Sequence, residues 1–184
     1  MVRRFIITVV CLIFGSLRQA GGSQAVTLDV PFVRQEKNGC GSASIAMVME
    51  YWQREQGLPG VINPAEIQRA LYSQAARGIH ASAMERYLRE HGFRTFSLKG
   101  EWADVSEQLP KGRPLIVALR AGRGALHYVV VTGIDPEQGL VLKHDPAARK
   151  LLRQHRADFE REWRAAGNWT LLALPASKGE SPSP

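Results

Sequence analysis

The hydrophobic period of this chain changes partway along it, at Gly92. Before that glycine the apolar residues recur at helical spacing, and after it they gather in short β-branched and aromatic runs. Ile45, Val48, Met49 and Trp52 fall at i, i+3, i+4 and i+7, which predicts one face of an amphipathic helix from Cys40 to about Arg54. Asn63, Pro64 and Glu66 are the residue types of an N-cap, an N1 proline and a capping-box carboxylate, opening a helix that turns Ile67, Ala70 and Leu71 inward. A third helix is expected from Ala81 to His91, with Met84, Tyr87 and Leu88 on one side and Gly92 as its stop.

Beyond Gly92 the expected strands are Phe93 to Leu98, Leu115 to Leu119, His127 to Ile134, Leu140 to Lys143 and Trp169 to Leu174. The turn-forming segment Asp135 to Gly139 joins two of them into a hairpin. A short helix from Trp102 to Leu109 is expected to end at Pro110, and another from Ala157 to Ala165 presents Phe159 and Trp163. Leu28 to Val33, containing Pro31, reads as a short strand or extended segment. Helices early and strands late, with no internal repeat and no long linker, predict one α+β domain.

Composition narrows the class. With 184 residues, 45% hydrophobic and 22% charged, the chain has enough apolar surface for a packed core, and 2 cysteines cannot make a disulfide scaffold. Arg3 and Arg4 precede an apolar run from Phe5 to Gly15, and Ser23-Gln24-Ala25 offers a small-x-small cleavage pattern, so residues 1–25 read as a secretory signal. The run falls short of the roughly twenty residues a membrane-spanning helix needs. Val9 and Val10 before Cys11 do not make a lipobox. Cleavage removes Arg3, Arg4 and Arg18 and no acid, leaving 21 basic against 17 acidic residues and a net charge of +4 in place of +7. That surplus, with no polybasic block, gives no warrant for nucleic-acid binding. The expected location is the periplasm or the exterior, with no stable membrane span in the mature chain, and residues 177–184 read as a disordered tail.

Cleavage also removes Cys11 and leaves Cys40 alone in an exported protein. A thiol at a helix N-terminus meets unsatisfied backbone N–H groups and the positive end of the helix dipole, both of which favour thiolate. Gly39 and Gly41 on either side leave room for a carbonyl to approach, and Gly39 is free to take positive φ at the helix entry. The same tripeptide also fits a small buried side chain flanked by turn glycines. For the base, the sequence allows two hairpin registers. A turn centred on Pro136 brings His127 opposite Asp145; one centred on Glu137 makes Asp145 a diagonal neighbour on the same sheet face. Either lets the imidazole donate to the carboxylate and keep its other nitrogen toward the thiol. By the same count His144 points to the opposite face. A surface histidine beside a strand-ending Asp-Pro turn is the plainer alternative.

Four separated blocks then carry a resemblance. Val30-Pro31-Phe32-Val33-Arg34-Gln35, Asn38-Gly39-Cys40-Gly41-Ser42-Ala43-Ser44-Ile45-Ala46-Met47, His127-Tyr128-Val129-Val130-Val131 and Lys143-His144-Asp145-Pro146 resemble the C39 family of papain-like cysteine peptidases, the bacteriocin-processing or double-glycine peptidases. The resemblance runs from about Val30 to Leu174 and assigns 26–176 to a C39-like domain. It implies an α+β papain-like fold, a helical lobe carrying the nucleophile against an antiparallel sheet carrying the base. It also implies Cys40 as nucleophile, His127 as general base and then acid, Asp145 as the group orienting the imidazole, and Gln35 as an oxyanion-hole amide beside the N–H of Cys40. No metal or organic cofactor is implied, and the partner is a peptide or protein substrate.

Two departures stand out. Gln35 lies five residues before Cys40, one fewer than in papain and the transporter-fused members. The chain also shows no exporter spans and no ATPase segment, so a leader-cleaving role is not carried over. The function expected is therefore an exported thiol peptidase acting through a thioester. An idle domain that binds a peptide in the same cleft and an acyltransferase with the same triad are the alternatives, and the oligomeric state is open. His80, His91 and His155 read as surface or helix-end residues, and no pair has metal-site spacing. Arg120 and Arg123 flank the loop leading to His127, either as solvated residues, the simpler reading, or as a bias toward acidic substrates.

Overall fold

The computed structural model describes residues 24–58, 60–120 and 125–177. The signal segment up to residue 23, Arg123 and the tail from 178 lie outside the described residues. In chain order the elements are β1 (Val26–Thr27), α1 (Cys40–Glu55), α2 (Pro64–Leu71), α3 (Ala81–Glu90), β2 (Phe93–Lys99), α4 (Trp102–Gln108), β3 (Leu115–Leu119), β4 (His127–Asp135), β5 (Leu140–His144), β6 (Leu152–His155), α5 (Arg156–Ala165) and β7 (Trp169–Pro175). The strands form a wholly antiparallel sheet in the order β2-β7-β3-β4-β5-β6. β1 pairs with the far end of β4, Val26 facing Ile134 and Thr27 facing Gly133.

Alternation along the strands divides the core into two clusters. Ile116, Ala118, Tyr128 and Val130 pack with α1, while Val117, Leu119, Val129 and Val131 pack with Phe159 and Trp163 of α5 and with Val105 and Leu109. α1 is more deeply placed than an amphipathic pattern implies: every residue from Gly41 to Tyr51 is buried. Its large side chains face the sheet, and Ser42, Ala43, Ser44 and Ala46 let α2 and α3 close over the remaining surface. The helix that starts with Cys40 is thereby clamped on all sides, which fixes where its first turn ends up.

Several boundaries differ from expectation for identifiable reasons. Leu28 to Val33 is extended but not a strand. Leu28 N–H still reaches Thr132 O at 2.8 Å, but from Val131 onward that edge of β4 is taken by β3, and Pro31 has no N–H to offer. Pro110 does not stop α4 abruptly; it sits within a 3₁₀ turn, Leu109–Lys111, that continues it. Glu66 does not close a capping box on backbone. Asn63 accepts from Ala65 N–H at 3.0 Å and its amide nitrogen donates to Glu66 Oε1 at 3.2 Å. β6 was not expected, because Leu-Arg-Gln-His is too polar to read as a strand; as the sheet edge it is only half-buried.

Gly133 is the point where β1 lies closest to β4. A Cβ there would meet Val26 O at 2.4 Å, so one of the two strands must move. Gly133→Ala is therefore expected to lower stability by about 1–3 kcal/mol through overpacking. A lowered urea midpoint checks this; an unchanged midpoint would show that β1 contributes nothing at that contact.

Candidate active site

The first turn of α1 is set by a tight entry. Gly39 N–H donates to Glu36 O at 3.0 Å, and Asn38, not Gly39, takes the left-handed conformation, with φ 58° against −98° at Gly39. Asparagine tolerates that region better than most residues. Both flanking glycines are closely packed. A Cβ on Gly39 would lie 3.1 Å from Glu36 O, and one on Gly41 would lie 3.1 Å from Ile79 Cβ. α2 braces the turn, since Gln68 Nε2 donates to Asn38 O at 3.3 Å and Tyr72 accepts from Asn38 Nδ2 at 3.4 Å. Cys40 is thus held at the N1 position of a buried helix, with its thiol partly open to a cleft.

His127 opens β4, paired with Leu119 of β3. Its Nε2 lies 2.7 Å from Asp145 Oδ1. Of the two hairpin registers, the Pro136-centred one is wrong: Asp135 faces Leu140 and Ile134 faces Val141. A bulge at Thr132 then shifts the pairing by one, so that Val131 faces Lys143 and Val130 faces His144. Past the bulge the count is that of a turn centred on Glu137, and Asp145 arrives on the His127 face as a diagonal neighbour. Without the extra residue Asp145 would have been carried to the opposite face. The loop it opens is folded back on itself, with Asp145 Oδ1 also accepting Ala147 N–H at 3.0 Å and Ala148 N–H donating to Asp145 O at 3.0 Å.

The three groups share charge. Burial opposes ionisation of the Cys40 thiol. The His127 imidazole, with backbone N–H groups of Tyr128 and Gly41, outweighs it and holds the thiol below its ordinary value. Burial likewise opposes an imidazolium at His127, but the hydrogen bond to Asp145 and the interaction with Cys40 push it up to about 9. Asp145, despite burial, is lowered by His127. Tyr128, buried and next to the sulfur, is pushed up to about 12 and stays neutral. The shifts together favour a thiolate–imidazolium pair with a carboxylate behind it. Because Nε2 faces Asp145, Nδ1 is the nitrogen turned to sulfur.

Gln35 lines the same cleft as Cys40 and His127. Its Oε1 is buried without a hydrogen-bond partner among the described residues. Its backbone N–H donates to Pro146 O at 3.1 Å and the Arg34 guanidinium donates to Ala148 O at 3.1 Å, tying this segment to the Asp145 loop. His144 makes the third tie. It is fully buried, Nε2–H donating to Val30 O at 2.8 Å and Nδ1 accepting Leu151 N–H at 3.2 Å, with Phe32 edge-on. Burial lowers its pKa, favouring the neutral ring that has one donor and one acceptor. The sequence placed His144 only on the opposite face; its adjacency to Asp145 at a strand end was the available signal for a role in holding the loop.

His80 sits at the N-cap of α3 on the cleft wall, while His91 caps the other end of that helix and stacks on Tyr87. Among the described residues no group of His, Cys, Asp or Glu is arranged to hold a metal ion, and no helix is long and apolar enough to cross a membrane. Above the thiol the cleft encloses about 1570 Å³ between α2, the 73–81 segment and the start of β4.

The fold has known counterparts. The peptidase domain of Streptococcus ComA, a bifunctional ABC transporter of a quorum-sensing pathway, is 22% identical, with a TM-score of 0.62 over 78% of this chain and 97% of that one. A C39-like peptidase candidate from Bacillus anthracis is 18% identical, with a TM-score of 0.63 over 84% and 99%. A double glycine motif protease from an AMS/PCAT transporter, solved in complex with a leader peptide, is 20% identical, with a TM-score of 0.62 over 83% and 99%. No curated protein sequence matches the chain. These likenesses show the α+β papain-like fold, with the Cys40 helix against an antiparallel sheet carrying His127. The family model for the Peptidase_C39 like family matches residues 27–171, nearly the whole described chain, and the protein belongs to that family.

Proposed function

We propose that this protein is an exported cysteine peptidase that hydrolyses peptide bonds through a thioester, with Cys40, His127, Asp145 and Gln35 as its working groups. The observation that carries the reading is the 2.7 Å contact from His127 Nε2 to Asp145 Oδ1, with the opposite ring nitrogen turned to a thiol at a helix N-terminus. A peptide occupant has support from the similar double glycine motif protease, whose structure holds a leader peptide. Export rests on Arg3, Arg4, the apolar run Phe5 to Gly15 and Ser23-Gln24-Ala25.

In the proposed reaction the Cys40 thiolate attacks the scissile carbonyl carbon, forming a C–S bond as the C=O π pair moves onto oxygen. In this reading the oxyanion is met by the Gln35 NH₂ and the backbone N–H of Cys40, donors that stabilise the charge as it develops. His127 gives its proton to the departing amine, the C–N bond breaks and a thioester remains. The neutral imidazole then takes a proton from water as that water adds to the thioester. Collapse of the second tetrahedral species breaks the C–S bond and restores the thiolate–imidazolium pair. Asp145 keeps the ring oriented and its charge matched throughout.

Digestion of a peptide library, read by mass spectrometry, tests the reaction. Cys40→Ala is expected to abolish cleavage, His127→Ala to reduce kcat by about 10²–10⁴-fold, and Gln35→Ala to reduce it by about 10²–10³-fold with little change in KM. Cleavage that persists in Cys40→Ala would refute the assignment. For export, N-terminal sequencing of protein recovered from outside the cytoplasm is expected to begin at Val26; recovery of the intact chain only from the cytoplasm would refute it.

A further inference from the structure

The cleft above Cys40 is lined by Lys37, Arg69, Arg77 and Arg120, and by no aspartate or glutamate among its described residues. The four come from separate segments. Lys37 lies in the turn before α1, Arg69 on α2, Arg77 in the loop closed by the Ser73–Gly78 bridge, and Arg120 directly after β3, next to the Leu119–His127 pair. All four are exposed, and none forms an ion pair among the described residues, whereas arginines on the outer helices do: Arg86 with Glu90, Arg89 with Glu85, Arg156 with Glu160. The nearby acids are turned elsewhere. Glu66 accepts from the Asn63 side chain, Asp145 is spent on His127, and Glu36 is not part of the cleft lining. Residues 121–124, Ala-Gly-Arg-Gly, contain no acid.

Across the mature chain basic and acidic residues are nearly balanced, 21 to 17, so an all-cationic cleft is a local arrangement and not a reflection of overall charge. A concave wall of one sign concentrates oppositely charged ligands and rejects like-charged ones. Tyr72 and Leu126, 41% and 44% exposed, line the same cleft, so its occupant has apolar groups beside its negative ones, as a peptide does. We propose that the cleft selects peptide segments with aspartate or glutamate side chains close to the bond that is cut. This deepens the peptidase reading and rests on it for the cut, while the charge selection stands on the cleft alone.

Alkylation of Cys40 reads that selection without needing hydrolysis. In both reagents used, the sulfur bonds to the CH₂ carbon and iodide leaves; iodoacetate carries a negative charge and iodoacetamide none. The rate ratio of iodoacetate to iodoacetamide, normalised to a free cysteine peptide, is expected to exceed one and to fall as salt shortens the screening length from about 8 Å at 0.15 M to about 3 Å at 1 M. In the double variant Arg69→Glu, Arg77→Glu, with His127 unchanged, the ratio is expected to fall by about five-fold or more. An unaltered iodoacetamide rate in that variant shows that fold and thiol are intact. In a second arm, a Glu-rich peptide is expected to protect Cys40 from iodoacetamide better than a Lys-rich peptide of equal length, and the preference is expected to disappear in the double variant. Equal protection by the two peptides, or a ratio that charge reversal leaves unmoved, would overturn the proposal. A chain that passes both arms yet cuts no peptide would leave the selection standing and refute hydrolysis alone.

Discussion

One extra residue in β4 decides whether Asp145 can stand behind His127. The bulge at Thr132 shifts the β4–β5 register between Gly133–Leu142 and Val131–Lys143, and only past that shift does Asp145 fall on the same sheet face as His127. An unbulged hairpin would put the carboxylate on the α1 side and leave the imidazole with no acid behind it. The 2.7 Å contact and the raised His127 pKa both follow from this local irregularity in an otherwise regular sheet.

The remaining pieces are held by a shared brace. α1 is buried from Gly41 to Tyr51, which fixes the sulfur; the Gln35 segment and the Asp145 loop are tied to each other by Gln35 to Pro146, Arg34 to Ala148 and the buried His144. Gln35 and the Asp145 carboxylate are therefore positioned by one hydrogen-bonded unit and not by two independent loops. His144 does this as a neutral ring that donates on one side and accepts on the other. Such support is what keeps reacting groups within the small tolerance that acyl transfer allows.

Much of this was readable from residue order. The helices announced themselves through apolar spacing and the strands through β-branched runs; Cys40, His127 and Asp145 stand out by position and by resemblance, and Gln35 by resemblance alone. What the sequence hid has physical causes. Small residues on α1 leave no apolar signature, so the burial of Ser42, Ala43, Ser44 and Ala46 is not legible from the spacing of Ile45, Val48, Met49 and Trp52. The bulge carries no punctuation beyond Gly133, and a single regular register cannot describe a hairpin whose pairing shifts by one residue across Thr132. β6 escaped because an edge strand needs little apolar content, and His144 because a buried histidine with two backbone partners has the same letter as a solvated one.

The central claim is that the His127 imidazole, backed by Asp145, lowers the Cys40 thiol pKa and so favours the thiolate. The ultraviolet absorbance of the thiolate, taken as the difference between the mature protein and its Cys40→Ser variant across pH, measures this directly. Because His127 lowers the Cys40 pKa, the thiolate must already be present below the ordinary thiol value of 9.0, and because His127 itself sits near 9, the paired state must persist until the pH passes that point. In His127→Ala, burial acts unopposed by the imidazole and the midpoint is predicted to rise. A thiolate that forms only at or above 9.0, or a midpoint that ignores the loss of His127, would contradict the account.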